Sequence, residues 1–89
     1  MNKDLFTLDG FDDCVIGLLV GDGKPDAICY DLNKVIDKLR ESMELVDAIE
    51  YFYANIFQAC PRNGAPVFVK TTSMEVIQQY LKPLYLSQN

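Results

Sequence analysis

The sequence predicts an α+β fold, a three-stranded, mainly antiparallel sheet packed against a helical hairpin in the order β-β-α-α-β-α, and three features lead there. The run Cys14 to Val20 (CVIGLLV) has strand length, carries no charge and is rich in β-branched and aliphatic residues. Between residues 43 and 60 the apolar side chains recur at helical spacing instead. At 89 residues, 49% hydrophobic and 24% charged, the chain has ordinary globular usage and enough length for one core, so a single α+β domain spanning residues 1–89 is expected.

Residues 1 to 13 end in Leu8-Asp9-Gly10-Phe11-Asp12-Asp13, where Gly and Asp favour a turn and Leu8 and Phe11 can tack an ordered loop to the body. Cys14 to Val20, apolar on both faces, is predicted to lie centrally in the sheet. Gly21-Asp22-Gly23-Lys24-Pro25 is dense in turn formers, so Cys14–Val20 and the next strand, Asp26 to Asp31, read as a hairpin with a five-residue loop. Asp31 then caps a helix from Leu32 to about Glu41, with Leu32, Val35, Ile36 and Leu39 on one face.

Ser42 is read as the cap of a second helix, from about Met43 to Ala59 or Cys60. Leu45, Ala48, Ile49, Phe52, Ile56 and Ala59 fall within one arc and are expected in the core, while Val46, Tyr53, Phe57 and Cys60 form a second apolar stripe. Pro61-Arg62-Asn63-Gly64 stops that helix, and Ala65 to Lys70 reads as a third strand lying beside the first, in the order 2-1-3. Thr72 with Glu75 has capping-box spacing for a short helix of Met74, Val76, Ile77, Tyr80 and Leu81, ended by Pro83. The tail Leu84-Tyr85-Leu86 is unusually apolar.

Composition narrows the function classes. A net charge of −5, from 13 acidic and eight basic residues, opposes direct nucleic-acid binding and is mild for mimicry of DNA. No apolar run reaches bilayer length, and the opening residues lack a secretory pattern, so neither membrane association nor export is expected. The lack of histidine removes the commonest general base at neutral pH. Cys14, Cys29 and Cys60, an odd number without CxxC spacing, are read as reduced packing residues, and no cofactor is called for.

Several segments together resemble a family of small uncharacterised proteins found mainly in tailed bacteriophages and prophages. They are Asp9-Gly10-Phe11-Asp12-Asp13, Ile16-Gly17, Tyr30-Asp31 with Lys34, Ile36 and Leu39, Ala48-Ile49-Glu50-Tyr51-Phe52, Asn55-Ile56, Ala59, and Gly64 with Pro66-Val67-Phe68. The link Arg40 to Glu44 looks shorter than the family's loop, and the stretch after Val69 looks individual to this chain. The resemblance implies a phage-encoded accessory protein of a bacterial cytoplasm. It transfers no catalytic residue.

Two sets of residues are candidates for function. Tyr51 and Asn55, one helical turn apart, and the stripe residues Tyr53 and Phe57 offer partner-binding side chains, since tyrosine combines apolar area with a hydroxyl at low entropic cost. Asp9, Asp12, Asp13 and Asp31 are the alternative, oxygen ligands of a metal-dependent ligand-binding or enzymatic site, although Asp is also a standard turn and cap residue. Gly21-Asp22-Gly23-Lys24 precedes a strand and reads as a plain turn, not a phosphate loop.

The function read from the sequence is a non-enzymatic binding module that engages a host protein or sequesters a small molecule, and that self-associates as a homodimer. Alternation places Ile16, Leu18, Ile28 and Tyr30 on one sheet face and Val15, Gly17, Leu19, Ala27 and Cys29 on the other. The smaller-residue face suits the helical hairpin, which leaves the larger one for a second copy, or for the Leu84-Tyr85-Leu86 tail, to cover.

Overall fold

A computed structural model of the chain describes residues 5–83, so the Leu84-Tyr85-Leu86 tail lies outside the described residues. The first two strands, β1 (Val15–Gly21) and β2 (Lys24–Asp31), form an antiparallel hairpin. Its loop is tighter than the expected five residues. Gly21 pairs with Lys24, leaving Asp22 and Gly23 at φ 52° and 77°, the positive values that the two central residues of a type I′ turn require and that an Asp-Gly pair supplies at least cost. The ladder is irregular at two places, between Val15 and Gly17 and between Leu19 and Val20. The first inserts Ile16 into β1 and the second inserts Asp26 into β2.

The third strand, β3 (Val67–Val69), pairs parallel to β2, with Cys29 opposite Val67, Tyr30 opposite Phe68 and Asp31 opposite Val69. The α+β class holds, but the sheet is mixed and its order is β1-β2-β3, which corrects the expected 2-1-3 arrangement. β1 is an edge strand rather than a central one. The reason lies in the connection: α1 begins at the last residue of β2, so the chain crosses over two helices and returns beside the strand it left.

α1 (Leu32–Leu39) starts at Asp31, whose carboxylate accepts hydrogen bonds from the backbone N–H groups of Asn33 at 2.9 Å and Lys34 at 3.3 Å. α2 spans Leu45–Tyr51. It has no side-chain cap, because Ser42 instead donates its hydroxyl back to the Leu39 carbonyl within the intervening turn. The helix continues as a π-helical segment, Phe52–Phe57, so the α-helical reading to Cys60 is also corrected. In π geometry residues five apart stack, which sets Phe57 above Phe52, with ring centroids 6.2 Å apart.

The core joins Cys14, Tyr30, Val35, Leu39, Ala48 and Phe52, with Ile28, Leu32, Ile56 and Phe68 packed against it. The Phe68 ring stacks on Tyr30 at 5.9 Å and meets Phe52 edge-on at 4.7 Å. The helices therefore cover the face of Ile28 and Tyr30, the larger-residue face and not the smaller one, because aromatic rings from strand and helix fill the space between the layers. Ala48 and Phe52 are buried as expected, whereas Leu45, Ile49 and Ala59 are exposed. Leu8 and Phe11 do tack the first loop to this core, and the Leu8 N–H donates to the Tyr30 hydroxyl at 2.7 Å.

α3 (Met74–Gln78) is capped by Ser73, which accepts from the Val76 N–H at 3.3 Å, and not by Thr72. None of its residues is buried, and Tyr80 just beyond it is 82% exposed. The molecule is extended, 57 × 41 × 21 Å, with a radius of gyration of 15.9 Å against about 12 Å for a compact domain of this length. Among the described residues no helix is long and apolar enough to cross a membrane.

Candidate binding surface

The helical pair leaves an open groove of about 430 Å³ on its outer side. Ile36 of α1, Leu45 and Ile49 of α2, and Tyr53 of the π-helical segment form its apolar wall, with Asn33, Asp37 and Lys70 around the rim. Leu45 and Ile49 are exposed here, while Ala48 and Phe52 are buried and Ile56 packs against the core. The Asn33 amide donates to the Thr71 carbonyl at 3.2 Å and to its hydroxyl at 3.1 Å, which fixes the segment after β3 against the start of α1. Lys70 also lines a second hollow of about 380 Å³ with Thr72, Val76, Ile77 and Tyr80, so the two depressions meet at one cation.

The four partner-binding candidates do not converge on this groove. Tyr53 lines it, while Phe57 lies beside it, with its ring 5.8 Å from Tyr53 and 6.4 Å from Phe68. Asn55 turns its side-chain amide back to the Tyr51 carbonyl at 3.3 Å and borders a separate, apolar pocket of about 230 Å³ formed with Phe6, Leu8, Ile56 and Pro66. Tyr51 is exposed and lines none of these hollows. Sequence reading missed Leu45 and Ile49 as surface residues, while half-buried Ile36 packs against the core and also lines the groove. The available signal was the breadth of apolar surface on the second helix, more than one narrow sheet can cover.

The aspartates do not assemble either. Among the described residues no three acidic or thiol groups come together in a way that could hold a metal ion, which corrects the alternative built on Asp9, Asp12, Asp13 and Asp31. Asp31 is occupied as the cap of α1. Asp13 accepts from the Lys38 ammonium through both oxygens, at 2.9 and 3.0 Å. Asp9 sits in the turn before the 3₁₀ turn Asp12–Cys14, and both Asp9 and Asp12 are exposed.

Beside the Asp13–Lys38 pair lies a polar depression of about 270 Å³ that Cys14 also lines. Burial pushes the Cys14 thiol up from its ordinary pKa, and the neighbouring Asp13 carboxylate adds to the shift. The Cys60 thiol is also pushed up by burial, and its S–H donates to the Ile56 carbonyl at 3.2 Å. Both thiols are held in the protonated form, which is the less nucleophilic one. No family model matches the chain, and neither curated proteins nor solved structures give a match.

Proposed function

We propose that this chain is a non-enzymatic binding module, a phage-type accessory protein that works in a bacterial cytoplasm as a homodimer and engages a host protein. The observation that carries the reading is the groove between α1 and α2, where Ile36, Leu45, Ile49 and Tyr53 present apolar surface beside the cation of Lys70. Apolar anchors around a tyrosine, rimmed by polar groups, are the make-up of a protein-binding patch. The matching partner presents apolar side chains flanking a carboxylate. The test is affinity capture from bacterial lysate with the native chain and with Tyr53→Glu in parallel, followed by mass spectrometry and reconstitution with the purified partner. A partner held by the native chain and lost by the variant supports the reading, and equal recovery by both overturns the groove as the site.

A second reading, sequestration of a small molecule, has its own observation in the apolar depression lined by Phe6, Leu8, Ile56 and Pro66. Its size of about 230 Å³ suits a small apolar compound. A thermal-shift screen separates the two readings, because a compound that binds only the native state must raise its melting temperature.

A further inference from the structure

We infer that β1 is completed by a second copy of this chain, pairing antiparallel edge to edge across a two-fold axis to form one six-stranded sheet in the order β3-β2-β1-β1-β2-β3. The inference rests on the self-association proposed above and specifies where it occurs. β3 reaches only Cys29 to Asp31, so from Gly17 to Ile28 the hairpin is a two-stranded ribbon. Such a ribbon is marginal in water without a third strand or a packed layer. Among the described residues no helix supplies that layer over β1, whose residues are all at least partly exposed, including Leu18 at 52% and Val20 at 57%.

The two free edges of this ribbon differ in the way that decides which one pairs. Natural edge strands discourage pairing with lysine, proline and bulges. β2 begins with Lys24 and Pro25 and carries its bulge at Asp26. β1 has no charged residue and no proline, and its one inserted residue, Ile16, lies near its start. Gly17 to Gly21 therefore offers a regular, uncharged edge on which every second residue points its backbone N–H and C=O away from β2.

The occupant is a second copy because the strand complements itself. A two-fold axis normal to the sheet keeps each face on its own side, so an axis through Leu19 sets Leu18 against Val20 of the second copy and Gly17 against Gly21 of the second copy. Two chains of charge −5 repel each other, and an uncharged strand is the contact at which that repulsion is least.

The test combines mass with cross-linking. Sedimentation across a dilution series should give a dimer for the native chain and a monomer for Leu19→Lys, with the variant's circular dichroism unchanged. Leu19→Cys decides the register without relying on a charged variant to fold. On the axis its β-carbons stand about 4.5 to 5.5 Å apart, a small movement from disulfide geometry. Mild oxidation should link Leu19→Cys chains in pairs, and should leave the native chain and Val46→Cys, on the outer helical stripe, unlinked. A native dimer that links through Val46→Cys and not through Leu19→Cys overturns β1 pairing while self-association stands. A native monomer at high micromolar concentration overturns both.

Discussion

Two strands of one hairpin, joined by a two-residue turn, have opposite fates in this molecule, and the more apolar of them is the less buried. β2 buries Ala27, Tyr30 and Asp31, whereas β1 buries none of its residues. Composition alone predicts the reverse, since β1 carries no charge while β2 carries Lys24, Asp26 and Asp31; topology decides the outcome. The crossover through α1 and α2 brings β3 to the far side of β2, and the helices follow Tyr30 and Phe68 rather than the longer apolar run of β1. Apolar content thus marks a strand as needing cover without saying whether its own chain provides it.

The most direct way to break this comparison is to truncate one side chain in each region. Phe52 is 1% exposed and touches Phe57 and Phe68, so Phe52→Ala should cost about 3 to 5 kcal/mol in chemical denaturation. Leu18→Ala, on the exposed strand, should stay within about 1 kcal/mol in dilute protein. Equal costs at high dilution would show that β1 is covered by its own chain. A gap that narrows as protein concentration rises would sharpen the contrast, because burial of β1 would then depend on a second copy.

A smaller effect tests how β2 is held. Tyr30 is fully buried and its hydroxyl accepts the Leu8 N–H, so Tyr30→Phe keeps the ring but removes that acceptor. Loss of about 1 to 3 kcal/mol is expected if the Leu8 N–H is left without a partner. A neutral result in urea denaturation would mean that the loop before β1 moves to find another acceptor, and that β2 owes its burial to ring packing alone. Asp31→Ala should cost about 1 kcal/mol by removing both N-terminal hydrogen bonds of α1. A loss of helical circular dichroism with the sheet intact would place that effect in the crossover.

Local signals in the sequence account for most of the elements, although the caps read at Ser42 and Thr72 are absent, and the non-local arrangement was not legible. Asp31 as a cap, the β1–β2 hairpin and the burial of Ala48 and Phe52 follow from short-range chemistry and are present, whereas the five-residue loop expected over Gly21 to Pro25 is the two-residue turn Asp22-Gly23. The position of β3 was not legible, because Ala65 to Lys70 carries the same apolar pattern whichever strand it joins. Leu45 and Ile49 belong to the apolar arc of a regular helix and yet line an open groove, because spacing defines the arc but not how much of it a neighbouring element covers. Ala48 and Phe52 are buried and Ile56 packs against the core, and the change to π geometry at Phe52 alters the spacing beyond it. The acidic candidates failed for the opposite reason: Asp13 and Asp31 each have a local partner, and those partners hold them apart.

The smallest expected effect lies where the two regions join. Lys38 of α1 reaches Asp13 in the turn that leads into β1, and both side chains are substantially exposed, at 34% and 69%. The hydrogen bond from Lys38 holds the Asp13 carboxyl below its ordinary pKa, and the same bond holds the Lys38 ammonium above its own. The Asp13 contribution is therefore present above the unfolded-state pKa of the carboxyl and is lost as pH falls through the folded value. The Lys38 contribution is present below the unfolded-state pKa of the ammonium and is lost as pH rises through the folded value. Between those limits, in low salt, Asp13→Asn should be slightly less stable than the native chain, and less so than either Tyr30→Phe or Asp31→Ala, because exposed ion pairs are screened by water and ions. Urea denaturation near neutrality should resolve the difference, which should shrink with added salt and vanish as pH falls through the folded-state value of the carboxyl. A difference that survives acid and salt would assign the cost to packing around Cys14, whose thiol lies 3.7 Å from the Asp13 carboxylate. A loss as large as that of Tyr30→Phe would mean that β1 is anchored firmly at its base, which would confine the weakly supported part of the hairpin to the ribbon beyond Gly17.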